Sequence, residues 1–163
     1  MKKDLIEQLT ALKYSGSARV VGLIEKPGPG IHATRLSVDV EAGKGFTGDH
    51  PRKDIWRGKR IPGREITMFS AEVAEALSVD PVVIGDNIVS RGLDLSSIEA
   101  GDVLRVGEVV LRRSEKAHRP CDLFARRASQ DAMEAVRETG TRGALFYVQM
   151  GGTICIDDNI KAE

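Results

Sequence analysis

Cys121 is the residue in this chain best placed to do chemistry. It closes the run His118-Arg119-Pro120-Cys121 and precedes a segment, 122–138, that is helical by composition. The thiolate is the reactive form of cysteine, and both neighbouring cations and a helix amino terminus favour it. A thiol so placed can act as a nucleophile, carry sulfur or ligate a soft metal. The competing reading is packing alone, because free cysteine behaves as a small hydrophobe. Cys155 stands in the alternating run Thr153-Ile154-Cys155-Ile156 and reads as packing. Neither His32 nor His118 has metal-site spacing with Cys121, so zinc is not expected.

Three polar stretches could accompany the thiol. Gly48-Asp49-His50 sets a carboxylate beside an imidazole, a pair suited to acid–base work, substrate orientation or metal binding. Its alternative is an Asp-initiated turn with a solvated histidine. Arg52, Lys53, Arg57, Lys59, Arg60 and Arg64 crowd one segment. Guanidinium groups suit phosphate and other oxyanions, although a charge run is more often a solvated loop. In Gly85-Asp86-Asn87-Ile88, Asn87 can pair with a heterocycle edge, and Arg91 just beyond can hold an anion. A plain turn explains the same residues through local hydrogen bonding.

The elements that must position these groups are short. Leu5, Ile6, Leu9 and Leu12 predict a helix over 3–13. Strands are expected over 18–26, 34–41 (Leu36, Val38 and Val40 on one face) and 65–69, with a short one near 87–89. Pro27-Gly28-Pro29-Gly30 predicts a turn that interrupts any strand. Residues 43–63 predict a long functional loop. Ser70 is the expected N-cap of a helix carrying Val73, Ala74 and Leu77. Residues 102–106 and 108–113 predict a hairpin around Gly107, and 143–149 with 153–156 a second one around Gly151-Gly152. One helix is expected over 122–138, ended by Gly140. Many short strands and few helices predict a mainly β (α+β) fold, an antiparallel barrel or sandwich with peripheral helices. No βαβ rhythm or glycine-rich dinucleotide fingerprint is present, nor a Gly-x-Ser-x-Gly or Walker sequence.

Composition narrows the function. The 163 residues suit one domain, read as an N-terminal helix and extension over 1–17 followed by a β-barrel domain over 18–163. Hydrophobic content of 41% with 29% charged residues is that of a soluble globular chain. A formal net charge of zero and 4% aromatics exclude a global field for nucleic acid and a base-stacking surface. No apolar run approaches the ~20 residues of a membrane span, and two cysteines are too few for a disulfide framework. The expectation is a cytoplasmic protein with neither nucleic acid nor membrane as partner.

Read in order, several segments resemble one family. They are Gly45-Phe46-Thr47-Gly48-Asp49-His50, Arg64-Glu65-Ile66-Thr67-Met68-Phe69-Ser70-Ala71-Glu72, Gly85-Asp86-Asn87-Ile88 with Arg91-Gly92-Leu93, Gly101 to Gly107, Arg119-Pro120-Cys121, and Arg142-Gly143-Ala144-Leu145-Phe146. The series is similar to stand-alone MOSC domains, named for the carboxy-terminal part of molybdenum cofactor sulfurases, from about Ala18 to Ile160. The resemblance implies a barrel-like β fold and a role in molybdenum-cofactor chemistry. It assigns Cys121 as persulfide carrier or molybdenum ligand, and Asp49, His50, Asn87, Arg91, Arg119 and Arg142 as pocket residues. Arg52 joins the arginines available to neutralise cofactor phosphate or oxo groups. A cysteine desulfurase, a molybdoenzyme or an electron donor is the implied partner, and sulfur transfer or reduction of N-hydroxylated compounds the implied activity. A second cysteine soon after the first, common in small members, is replaced here by Asp122-Leu123-Phe124-Ala125. No pyridoxal-phosphate aminotransferase-like part is present, so pyridoxal phosphate is not expected to act in this chain alone. The alternative from another class is a non-catalytic binding or sensor module for an oxyanion or anionic metabolite.

Overall fold

The computed structural model describes residues 1–163. The amino-terminal helix α1 (Lys2–Thr10) buries Leu9 and leans Leu5, Ile6 and Leu12 on a helical core. Strand β1 (Arg19–Gly28) turns into β2 (Ile31–Thr34). The Pro27–Gly30 cluster therefore does not interrupt β1. The strand runs on through Pro27, which brings no amide to the ladder, and the register shifts between Glu25 and Gly28 to absorb it. The strand expected over 34–41 begins late, as β3 (Ser37–Glu41), with Val38 and Val40 buried and their neighbours exposed. Leu36 lies outside it and is 83% exposed.

The expected loop over 43–63 is shorter than its sequence suggests. It contains β4 (Gly45–Phe46), paired with β3, and a separate small hairpin, β5 (Ile55–Trp56) with β6 (Lys59–Arg60). Next come β7 (Ile66–Ser70), α2 (Ala71–Leu77), α3 (Pro81–Ile84) and β8 (Ile88–Arg91). Ser70 caps α2 as expected, accepting from the Val73 amide. Strands β7 and β8 pair in parallel, so one βαβ crossover exists where the sequence reading expected only antiparallel strands. Its crossover is two short helices, too brief to announce the motif by periodicity.

After a 3₁₀ turn (Leu95–Ser97), β9 (Val103–Val106) and β10 (Val109–Arg113) form the expected hairpin. The helix expected over 122–138 is two helices, α4 (Asp122–Arg127) and α5 (Gln130–Thr139). Ser129 makes the break by capping α5 through the Ala132 amide, and Gly140 ends α5 in the left-handed region. The last strands are β11 (Ala144–Met150), β12 (Gly152–Cys155) and β13 (Ile160–Ala162). The second expected hairpin is absent: β11 pairs with β10 and β7, whereas β12 crosses to β3. Gly151 permits this. A Cβ there would stand 2.5 Å from the Val40 carbonyl oxygen, so only glycine lets the chain press against the other sheet as it changes partners.

The fold is mostly sheet with a few helices. The large sheet has the order β13-β9-β10-β11-β7-β8-β1-β2, and β12-β3-β4 form a smaller one. Both end strands of the large sheet lack an outer neighbour, so the strand pairing does not close the expected barrel. A single bridge, Arg19 to Asn159, draws the chain end toward the start of β1 without a ladder. Between the sheets lies one core containing Val40, Phe46, Met68, Phe146 and Ile154. A second core, with Phe69, Val73, Phe124 and Val136, lies under the helices. All five residues of β7 are buried, and consecutive Met68 and Phe69 enter different cores. Phe146 is fully buried beside β7, so Phe146→Ala is expected to cost about 3–5 kcal/mol and to lower the urea midpoint without changing its slope.

Candidate functional site

Cys121 is exposed and occupies the N-cap position of α4. Its backbone is extended there (φ −133°, ψ −177°), and its carbonyl accepts from the Ala125 amide at 3.2 Å. The thiol makes no capping bond, so it is not consumed in holding the helix. Two guanidinium groups, Arg64 and Arg127, lie within electrostatic reach of a thiolate there.

Beneath this surface lies a buried carboxylate, Asp86, on the turn that leads from α3 into β8. Gly85 ends α3 with φ 86°, and a Cβ at Gly85 would stand 2.4 Å from the His32 ring. His32 Nδ1 meets the Val82 carbonyl at 2.6 Å, and Arg127 Nη1 donates to the Ile84 carbonyl at 2.9 Å. These contacts fix the turn. Asp86 then accepts twice from Arg142, Nη1 to Oδ2 at 2.5 Å and Nη2 to Oδ1 at 3.2 Å. The Arg142 guanidinium lies over the rings of Phe124 (5.0 Å) and Phe69 (5.6 Å), which hold it in plane. His118 Nε2 lies 3.4 Å from Asp86 Oδ1.

The electrostatics follow from burial. Burial opposes ionisation of Asp86, but Arg142 and His118 outweigh it and hold its carboxyl well below the usual range. Burial pushes His118 down to about 4, and the Arg142 charge acts in the same direction, so the imidazole is neutral at pH 7. A carboxylate only accepts, so Nε2 carries the proton. Nδ1 is then a buried lone pair without a partner. Burial also brings Lys26 down to about 8, against the pull of Asp86 and Asp49, and lowers Arg64. Asp86 acts on Lys26, Arg64, Arg127 and Arg142 together. Asp49 also acts on Lys26 and Asp54 on Arg64, but these two are already paired with Lys53 and Arg60, so positive charge stays in surplus and favours an anion beside the thiol.

The residues singled out in the sequence fall into groups. Asp49 and Asn87 meet, Nδ2 donating to Asp49 Oδ2 at 2.9 Å. Asp49 also accepts from the Lys26 amide at 2.7 Å and from Lys53 Nζ at 2.8 Å, and Asn87 spans to the Thr67 amide and the Ile24 carbonyl. Their polar atoms are engaged, and the pair ties the charged loop to β1 and β7. His50 Nδ1 accepts from the Arg52 amide at 3.2 Å in a local turn, with Arg52 exposed. Arg119 is exposed beside Cys121, and Arg142 lies in the buried cluster. Arg91 is elsewhere, ion-paired with Glu75 of α2 and lining a cavity of about 660 Å³ between α1 and α2. Neither that cavity nor an apolar groove of about 550 Å³ beside β1 and α2 includes Cys121.

Sequence reading missed Asp86, His118, Lys26, Arg127 and His32 as site members. Asp86 read as a turn former, and its partners Arg142 and His118 stand 56 and 32 positions away, outside any local pattern. The usable signal was position: Asp86 and Arg142 lie inside segments that carried the family resemblance, and His118 directly precedes one.

A largely antiparallel α+β domain with an exposed thiol above a buried guanidinium–carboxylate cluster is the class that the fold and the site define. The MOSC domain family model matches residues 61–161, and the chain belongs to that family. Among solved structures it is similar to the YuaD protein from Bacillus subtilis, with a TM-score of 0.71 and 18% identity over 91% of this chain and 97% of that one. It is also similar to YiiM from Escherichia coli (0.63, 21%, covering 89% and 69%) and YiiM from Geobacillus stearothermophilus (0.64, 18%, covering 90% and 75%). No curated protein matches the chain in sequence. No helix is long and apolar enough to cross a membrane.

The pH dependence of stability follows from His118. Its folded pKa of about 4 lies below the ordinary 6.5, so the unfolded chain binds the proton first. Stability is full above about pH 6.5 and falls as pH drops toward 4, by on the order of 3 kcal/mol. Urea titrations across this range are expected to show that slope in the native protein and a flatter one in His118→Gln.

Proposed function

We propose that this protein works in molybdenum-cofactor chemistry, with Cys121 as the reacting atom and the cations beneath it as the seat of an anionic group. One observation carries the reading: an exposed thiol, free of any capping bond, lies within electrostatic reach of the Arg64 and Arg127 guanidinium groups, where cations outnumber the carboxylates that meet them.

The side chains present fit a cofactor that brings its own metal ligands. No group of three or more His, Cys, Asp or Glu side chains is arranged to hold a metal, so the protein offers a single soft ligand rather than a cage. Lys26, Arg64 and Arg127 would meet phosphate or oxo groups, and the buried lone pair of His118 Nδ1 would accept from a donor on the bound group. A molybdenum cofactor would supply redox and oxygen- or sulfur-transfer chemistry at the metal. The chain itself binds, screens charge and presents Sγ.

As a sulfur carrier, Cys121 attacks as the thiolate the outer sulfur of a persulfide on a partner desulfurase. The Sγ–S bond forms as the donor's S–S bond breaks, and the donor leaves as its thiolate. Electrons balance without an external oxidant. Arg64 and Arg127 stabilise the anionic sulfur on both sides of the exchange. As a metal ligand, the same thiolate would hold molybdenum while a partner supplies electrons. Exposure of Cys121 favours the carrier, because sulfur passed between proteins must be reached by a second active site.

The second reading, a binding module for an oxyanion or anionic metabolite, is favoured by the cation cluster, which is complete without the thiol. Protein prepared anaerobically from molybdenum-replete cells separates the readings. A reductant-labile, sulfur-sized mass addition on Cys121, lost in Cys121→Ser and retained in Cys155→Ser, is the expected result. Molybdenum lost in Cys121→Ser without such an adduct selects the metal ligand. Ligand affinity and cellular phenotype unchanged in Cys121→Ser select the binding module.

A further inference from the structure

The small hairpin β5–β6 takes no part in either core. Its root is fixed. The Lys53 side chain is largely covered and donates to Asp49 Oδ2 at 2.8 Å and to the Glu65 carbonyl at 2.6 Å. Asp54 is buried, accepts the Ile61 amide on its carbonyl at 2.8 Å and pairs with Arg60 at 3.2 Å. Its tip is presented to solvent. Trp56, the only tryptophan of the chain, is 65% exposed, and Ile55 beside it is 42% exposed.

The turn at the tip is strained for its residue type. Trp56 pairs with Lys59 across Arg57 and Gly58, whose φ angles are 51° and 77°. Positive φ at both positions makes a type I′ turn, where Asn-Gly is the favoured sequence. Arginine in the left-handed region costs roughly 1–2 kcal/mol, which local folding does not require. Placed there, its guanidinium lies 5.8 Å over the Trp56 ring. Once Lys53 and Arg60 are assigned to Asp49 and Asp54, the cations Arg52, Arg57 and Lys59 have no carboxylate partner. An exposed aromatic with unneutralised Arg57 over its ring and Lys59 as its cross-strand partner matches the composition of interface hot spots.

The hairpin root and the thiol share a neighbour: Asp54 and Cys121 both lie within electrostatic reach of the half-buried Arg64. Leu123, two residues past the thiol, is also exposed.

We infer that the β5–β6 hairpin is a docking surface for an acidic patch on a partner protein, which it aligns with Cys121. The choice of a protein rests on the reading of Cys121 as a thiol that meets another macromolecule. Charge complementarity sets the sign of the partner. Nucleic acid would call for a series of stacking rings, and the hairpin offers one. A membrane surface would call for a broader apolar face than Ile55 and Trp56.

Because Trp56 is the sole tryptophan, its fluorescence reports the tip directly. Poly-L-glutamate, a single-stranded thymidine oligonucleotide and anionic lipid vesicles serve as probes. The expected result is a blue shift and saturable binding with poly-L-glutamate, weakened about tenfold between roughly 0.05 and 0.3 M salt. Binding is expected to be lost in the Arg57→Glu/Lys59→Glu variant, with slower alkylation of Cys121 by iodoacetamide in the complex. Absence of a shift at low salt, binding unaffected by charge reversal, or tighter binding to the oligonucleotide or the vesicles overturns the inference. The titration reads docking and the mass of the Cys121 adduct reads sulfur transfer, so the two conclusions fail separately.

Discussion

Everything at this site leans on the Asp86 carboxylate. Removing a carboxylate from water costs several kcal/mol unless charge and hydrogen bonds compensate. Here Arg142 grips it in two places and a neutral His118 supplies a third contact. The compensation runs in both directions. Arg142 lies over two phenylalanine rings, where an unpaired guanidinium would itself be costly, and Arg64 and Lys26 are held partly out of water nearby. Asp86 is the anion that allows so many cations to share a small volume under an exposed thiol. With Asp49 and Asp54 already paired to Lys53 and Arg60, the cations still outnumber the carboxylates, and a bound anion would supply the missing charge.

The backbone around Asp86 explains why the arrangement can be rigid. The turn belongs to the β7–α2–α3–β8 crossover, and parallel pairing of β7 with β8 anchors both its ends. One position later Asn87 reaches β1, β7 and the root of the charged loop through Ile24, Thr67 and Asp49. Adjacent residues therefore do different work: Asp86 gathers side-chain charge, and Asn87 stitches backbone. The same Asp49 that meets Asn87 also fixes Lys53, so the rigidity of the pocket floor extends to the base of the outer hairpin.

Much of the fold was legible in the sequence. Ser70 as a cap, Gly140 as a stop, the alternation at Val38 and Val40, and the Gly107 hairpin are local events that neighbouring residues decide. What failed was decided at a distance. Ser129 divides a segment that is helical by composition throughout, because a cap outweighs propensity once α5 packs against α1 and the helical core. Gly151 and Gly152 resembled a hairpin turn, yet the close approach of Val40 sends the next strand to another sheet. Leu36 continued an apolar alternation but precedes the strand that would have buried it. At the site, Cys121 and Arg142 could be selected through the resemblance. Asp86 and His118 lay in or beside the segments that carried it without being singled out, since a buried polar group gains meaning only from partners far along the chain.

The final strands give the molecule a particular history of assembly. β12 pairs with β3, β13 with β9, and residues 157–160 exchange backbone hydrogen bonds with Ala18 and Val20. A nascent chain emerging from the ribosome thus holds β3 with one side bare until β12, more than a hundred residues later, has been made. Contacts spanning more than a hundred residues make for slow folding and leave sticky edges waiting. Asp39 and Glu41, exposed on β3, put charge on that waiting edge, a form of protection against self-association before β12 arrives.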